Sequence, residues 1–580
     1  MSIASSTFVP AQLDATEWSN IEPLFNALLE RSVESAADLE AWLFDRSELE
    51  SAYSQSQANL YISTTCDTGD QAAQDAFTKF IETVPPKAKP VMFAMDRRQK
   101  ELAERFSLPA DRYGVLTRDT AADVELYRDE NVPIETELDK LGQESDTVSG
   151  AQSVEFEGKE RTMPEMARFL EDTDRPRREA AWRAISDRRL QDREKFDTLY
   201  DAMIGKRDQL ARSAGYDNYV GYTFARMHRF DYTPDHCVAF HDAVERAVVP
   251  FNKRLDAKRA EALGVDALRP WDLAVDPHGR APLRPFDGGV DLMNKTNAAF
   301  EQLDPRLASM LRELGDGSGV GIAGGNNLDL DSRKGKAPGG YQYMRDRVRM
   351  PFIFMNAAGL HRDVETMVHE AGHAFHSMLC RDEPLLHYRH SPIEFAEVAS
   401  MTMELLTMPY WGGEQGFYPD PADHNRAMRQ QMEGSVSLLS WIATIDAFQH
   451  WIYANPTHTQ SDRTSAWLDL DARFGHDIDW SGLDDAKAAA WQRQSHLFRN
   501  PFYYIEYGIA QLGALGLWVT SLEKGEPAAI DAYMKSLSLG GSKPLPELFK
   551  AAGLPFDFGY DTVARLLDRV ETELEKVPDA

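Results

Sequence analysis

The chain has 580 residues, 43% apolar and 27% charged, a balance that supports a large buried core and excludes disorder over most of its length. Its 63 Lys and Arg against 93 Asp and Glu give a formal charge of −30, which repels phosphate backbones and argues against a nucleic-acid partner. Cys66, Cys237 and Cys380 lie far apart and in no CxxC pair, which excludes a disulfide scaffold or a cluster of zinc thiolates and fits a reducing, cytoplasmic compartment.

The opening MSIASSTFVPAQLDATEW has no basic stretch followed by an apolar run, so no signal peptide is expected. Ala76 to Phe106 carries apolar residues at helical spacing around the break at Pro85 and Pro86. Val148 to Phe156 has a β-like pattern running into a Glu-Gly-Lys turn. Met163 to Gly215 predicts two helices with solvated charged faces, divided by Pro176. A boundary near residue 185 divides a helical amino-terminal lobe, 1–185, from the remainder, 186–580. The GxGxxG letters at Gly319, Gly321 and Gly324 follow a charged helical stretch and precede turn-prone residues. Dinucleotide binding needs a strand before and a helix after, so this segment reads as a loop. After Gly340, YQYMRDRVRMPFIFMN alternates enough to predict one or two strands of a small sheet. The longest apolar run, Ile509 to Thr520, is broken by Gln511 and is shorter than the roughly 20 residues of a membrane helix.

The chemistry concentrates in DVETMVHEAGHAFHSMLC. His369, Glu370 and His373 form HExxH, and positions four apart share one helix face, so two imidazoles can converge on one metal ion. Glu370, one step round the helix, can hold the attacking water. Val364, Met367, Val368, Ala371, Ala374 and Phe375 give this helix an apolar covering. His376 points about 60° away from His373 and reads as a packing or hydrogen-bonding residue.

A catalytic zinc needs a third protein ligand and one open position. SPIEFAEVASMTMELL predicts a second apolar helix carrying Glu394, Glu397 and Glu404, and a carboxylate on such a helix is expensive unless paired or metal-bound. Spacing alone does not choose among the three. Glu404, two turns beyond Glu397 on the same face, could accept from a zinc imidazole, and Glu394 suits a surface position near the helix start.

HEAGHAFH followed by FAEVASMTME resembles the oligoendopeptidase F and thimet oligopeptidase family of zinc peptidases. The resemblance extends to RPWDL from Arg269, GKAPGGY from Gly335, RMPFIFMN from Arg349 and HLFRNPFYYIEYGIAQLGAL from His496. It implies a mostly α fold: a helical ellipsoid with a deep central channel, the HExxH helix on its floor and a small β-sheet on one wall. It makes 186–580 the catalytic domain, implies one zinc per chain, and selects Glu397 as third ligand with Glu404 behind it. It implies short peptides as substrates, with no nucleic acid and no membrane. RMPFIFMN becomes an edge strand to which substrate adds as an extra strand. Gly339, Gly340, Tyr341, Phe352 and Phe354 supply the substrate loop and strand.

Peptide hydrolysis builds a tetrahedral oxyanion, and His496, Tyr503, Tyr504 and Tyr507 are candidates to stabilise it. Tyr504 and Tyr507 share a helix face. The family's His followed by a Tyr-x-x-Tyr pair implies contacts to substrate and oxyanion here. We expect Tyr507 to be the direct donor, with Tyr504 and His496 supporting the substrate backbone. Two other readings remain. A carboxypeptidase or dipeptidyl carboxypeptidase would need a cationic clamp such as Arg345, Arg347, Arg349 or Arg499. An inactive peptide-binding protein is disfavoured by the intact His369, Glu370, His373 and Glu397 set.

Overall fold

Among the described residues helix dominates, as the sequence predicts, with one two-stranded and one three-stranded sheet. The structure is a computed structural model that describes residues 8–579; residues 1–7, where the leader reading begins, lie outside the described residues. Among the described residues no helix is long and apolar enough to cross a membrane.

Six helices and five strands are labelled in chain order. Helix α1, Ala36–Cys66, starts at Ser35, whose hydroxyl accepts from the Asp38 N–H at 3.2 Å. The β-like stretch is shorter than its pattern. Val148 to Gly150 still end a helix, and only Ser153–Phe156 (β1) pairs with Lys159–Thr162 (β2), across Glu157 and Gly158 at φ of 54° and 73°. The charged stretch from Met163 divides differently from expectation. A short helix, Met163–Ala167, precedes Arg175–Leu190, and a second break at Gln191 and Asp192 precedes Arg193–Ser213. Pro176 does not split two helices but opens one, since a first-turn N–H would go unpaired anyway. Helix α2, Pro234–Ala243, begins the same way.

The glycine-rich segment forms turns and a three-residue 3-10 piece, with no helix behind it. Strand β3, Leu328–Asp331, follows, then β4, Tyr341–Arg345, and β5, Met350–Ala357. The strand order is β3-β5-β4, parallel then antiparallel. RMPFIFMN is therefore the central strand, not the expected edge. Residues 351–355 are buried without interruption, which is how a strand covered on both faces reads. Phe352 and Phe354 are wholly buried against Ile62 and Cys66, and β3 and β4 are the two outer strands.

Helix α3, His361–Leu379, is opened by Asp363, whose carboxylate accepts from the Ala358 and Leu360 N–H groups at 2.8 and 2.9 Å. Helix α4, Ile393–Leu406, lies between α3 and α6, Tyr504–Lys524, while α5, Pro421–Ala454, crosses behind them. The main apolar core runs from Leu126 to Leu574. The amino-terminal helices hold their own core from Val9 to Leu116, completed by Leu385 and Tyr388. The Tyr388 hydroxyl donates to Arg112 O at 2.8 Å, keying that lobe to the segment between α3 and α4. The RPWDL motif is an anchor of the same kind: Asp272, fully buried, accepts from Arg175 and Arg178 at 2.7 and 3.1 Å.

Candidate metal centre

Helical geometry puts His369 and His373 one turn apart on α3, their rings 4.8 Å centre to centre and nearly perpendicular. Glu397 reaches them from α4. Its Oε2 lies 3.4 Å from His369 Nε2 and 3.5 Å from His373 Nε2. Donors about 2.0–2.2 Å from a tetrahedral zinc sit roughly 3.3–3.6 Å from one another, so both edges from Glu397 match that tetrahedron, and all three donor atoms lie within 4.8 Å of one another. Of the three glutamates, this one meets both imidazoles.

The approach depends on Gly372. A Cβ there would lie 2.5 Å from Ala399 O and 2.6 Å from Ser400 Cα, so α3 and α4 touch backbone to backbone. On the other side, a Cβ at Gly513 of α6 would meet Val398 Cγ2 at 2.7 Å. Overpacking a tight contact costs about 1–3 kcal/mol. Gly372→Ala is expected to lower the thermal midpoint and weaken metal retention together. Thermal scans and elemental analysis check it, and a variant unchanged in both would contradict the close-contact account.

Glu404 meets the first of these imidazoles from behind. Its Oε1 accepts from His369 Nδ1 at 2.7 Å, and its Oε2 accepts from Gln431 Nε2 of α5 at 2.9 Å. This leaves His369 Nε2 to face the Glu397 side. Ser400 donates to Glu397 Oε2 at 2.9 Å. Burial disfavours charge on His369, but the Glu404 bond and the Glu397 charge outweigh it and carry its pKa up to about 10. His373, buried without such a partner, is pushed down to about 4. Glu394 is not on the surface. It is buried, accepts from Tyr232 Oη at 2.7 Å and faces Arg229. His376 is buried outside the donor set, its pKa pushed down to about 3 by burial.

Glu370 lies beside the donors and does not join them. Burial pushes its carboxyl up to about 7, the Gln342 N–H of β4 faces it, and its Oε2 has no hydrogen-bond partner. A buried carboxylate oxygen without a partner marks a place where another polar atom belongs. The adjacent loop is pinned from below. Lys336 Nζ reaches Asp329 Oδ1 at 2.7 Å and Asp331 O at 3.0 Å. Asn356 Nδ2 holds Gly339 O at 2.8 Å, and a Cβ on Gly340 would meet Thr366 Cγ2 of α3 at 3.5 Å. Tyr341 stacks on Phe354 at 4.8 Å, its hydroxyl 2.6 Å from Thr65 Oγ1.

The aromatic segment divides. The Tyr504 hydroxyl donates to Gln494 Oε1 at 3.0 Å, and His496 Nδ1 lies 2.7 Å from Gln494 Nε2. Tyr503, a candidate that the tyrosine-pair pattern passed over, points at the metal site instead, its hydroxyl 3.5 Å from Glu397 Oε1. Tyr507 packs against Tyr503, their rings 5.2 Å apart, and for both phenols burial and the Glu397 charge raise the pKa. The signal that could have exposed Tyr503 is backbone geometry: Phe502, at φ 66°, turns the chain just before α6. The candidate arginine clamps are all engaged elsewhere. Arg345 bonds Asn327, Arg347 bonds Pro10 O, Arg349 bonds Glu48 and Arg381 O, and Arg499 bonds Asp139 O.

The sequence profile of peptidase family M3 matches residues 168–559. Oligopeptidase PepF of Bacillus subtilis is 26% identical over 341 residues, 57% of this chain and 48% of that protein. An oligoendopeptidase F homolog of Borreliella burgdorferi is 26% identical over 209 residues, 34% of this chain and 33% of that protein. The chain thus spans half or less of the length of these curated relatives. Among solved structures, PZ peptidase A with an inhibitor superimposes with a TM-score of 0.86 at 27% identity, over 99% of this chain and all of that one. A Bacillus anthracis structure described as an oligoendopeptidase F gives 0.81 at 24% identity, over 98% of each chain, and speaks for the fold alone.

Proposed function

The chain belongs to peptidase family M3, and from that footing we propose that it hydrolyses internal bonds of short peptides with one catalytic zinc held by His369, His373 and Glu397. The observation that carries the reading is the 3.4 and 3.5 Å spacing of three donor atoms beside the unpartnered Glu370 carboxylate. Zinc, when bound, supplies a Lewis acid that polarises the scissile carbonyl and lowers the pKa of water. The remaining work falls to the chain. Glu370 takes a proton from the attacking water and passes it to the leaving amine. Tyr507 donates its hydroxyl hydrogen to the developing oxyanion. Glu404 fixes the His369 ring, and Tyr503 and Ser400 steady Glu397. An extended peptide docks along β4, whose Gln342 N–H already faces Glu370.

Cleavage inside a peptide is favoured over release of its carboxyl-terminal residues, because the four candidate arginine clamps are occupied. Peptides blocked at both ends should therefore be cut about as well as free ones. Loss of cleavage on carboxyl-terminal amidation alone would move the assignment to a carboxypeptidase. The three cysteines are free and buried, which supports action in the reducing cytoplasm.

Zinc content tests the centre. His373→Ala is expected to lose one equivalent of zinc relative to the wild type, together with all measurable peptide cleavage. Equal zinc in both proteins by elemental analysis would overturn the ligand set.

A further inference from the structure

Behind α6 a second group of donor atoms converges. Cys237 and His241 stand one turn apart on α2, and Asp446 and His450 one turn apart on α5. The donor atoms of Cys237, Asp446 and His450 all lie within 4.8 Å of one another. Cys237 and Asp446 are fully buried, and His241 is 3% exposed. His450 Nε2 stands 3.4 Å from Asp446 Oδ2, the same spacing as between His369 and Glu397. His241 Nε2 is hydrogen-bonded to that carboxylate at 2.8 Å, as Glu404 is to His369.

Ion pairing to Asp446 Oδ2 accounts for His241 at 2.8 Å and draws His450 to 3.4 Å without completing a hydrogen bond. It does not account for what is left over. Asp446 Oδ1 and His450 Nε2 have no hydrogen-bond partner, although both are buried. Leaving two such atoms orphaned beside each other costs about 1–3 kcal/mol apiece. A thiol, an imidazole and a carboxylate are together the donor types that zinc takes, and a single cation among them would satisfy both orphans at once.

We propose that Cys237, Asp446 and His450 form a second metal site that binds one zinc-class divalent cation, with His241 holding the ligating carboxylate. Burial keeps the Cys237 thiol protonated, so the S–H proton leaves to solvent as the sulfur–metal bond forms. Asp446 already binds as the carboxylate, since the neighbouring imidazoles oppose its burial and hold its pKa well below the usual range. Thiolate and carboxylate together neutralise the dication. The edges must close by about 1 Å from the 4.8 Å limit, which side-chain rotation can supply.

The ion would brace the catalytic wall. The His450 ring lies 5.2 Å from the Phe502 ring, and the neighbouring Gln449 Oε1 accepts the Phe502 N–H at 2.5 Å. Phe502 is the turn from which Tyr503 and Tyr507 are hung. The site clamps α2 to α5 directly behind that turn, away from substrate.

Full-length wild type, His373→Ala and Cys237→Ser, each produced in cobalt-supplemented medium, separate the two centres. Wild type should hold two equivalents of metal. His373→Ala should keep one, and its cobalt should show the near-ultraviolet absorption of thiolate-to-metal charge transfer. Cys237→Ser should keep one equivalent without that absorption. One equivalent in wild type with none in His373→Ala would overturn the second site and leave the peptidase reading standing. Metal retained by His373→Ala without a thiolate band would also overturn it. Should Cys237→Ser fail to fold, the count and spectrum of His373→Ala decide alone.

Discussion

Glu370→Gln is expected to keep the full metal complement of the wild type and to lose at least about 10²–10⁴-fold in kcat, the usual worth of a general acid–base. The two halves of that outcome have separate causes. Metal is retained because Glu370 stands apart from the three donor atoms, and glutamine matches its shape. Activity is lost because the amide can neither accept the water proton nor return it to the amine. Burial carries the Glu370 pKa to about 7, in the range where a group can both take and give a proton near neutrality, and a bound dication would draw it lower. Steady-state kinetics on a chromogenic peptide, beside elemental analysis of the same sample, measures both. Near-normal turnover would remove Glu370 from the chemistry. Loss of zinc would mean that the carboxylate is needed to build the site.

Tyr507→Phe is expected to lower kcat by roughly 10²–10³-fold, about 2.7–4 kcal/mol, with a much smaller change in KM. The charge it meets exists only after water has attacked, so its contribution belongs to the transition state. The geometry separates the three tyrosines. Tyr504 already gives its hydroxyl hydrogen to Gln494, so Tyr504→Phe should cost far less. Tyr503 leans on Glu397, the proposed third ligand, so Tyr503→Phe should weaken metal affinity by about 10–100-fold, the effect of losing a partner behind a ligand. If Tyr507→Phe is silent and Tyr504→Phe carries the kcat loss, the roles are exchanged.

How far the sequence reaches depends on whether a feature is local. HExxH is local, and a helix of known pitch turns its letters into a geometry before any folding is considered. The α4 glutamates are half local. Their spacing puts Glu404 on the face of Glu397, but singling out Glu397 as the one that meets both imidazoles needed the family resemblance, because nothing in those letters says how two helices cross. Glu394 misled because its partners, Tyr232 and Arg229, lie far upstream in sequence. The strand order was illegible for the same reason. The unbroken apolar run PFIFM carried the signal of a central strand, and it was overridden by the assumption that substrate adds there. The parallel partner β3, only four residues long, left no pattern to correct that assumption. Tyr503 stands among the sequence candidates without a role of its own, because its direction is set by a positive φ at Phe502, a non-glycine residue whose letter gives no warning.

The contact at Gly372 bears on how this centre withstands mutation. Where two ligand-bearing helices are held apart by side chains, every drift in those side chains moves the ligands. Here main chain rests on main chain, and the distance from His373 to Glu397 is set by atoms that no substitution elsewhere can resize. Apolar neighbours such as Val368, Phe375 and Val398 can exchange volume and change stability while the spacing of the donor atoms stays put. Changes of volume in the surrounding core can thus be absorbed without moving the donor atoms. The middle of HExxH, between the glutamate and the second histidine, is where a single methyl group would be felt first.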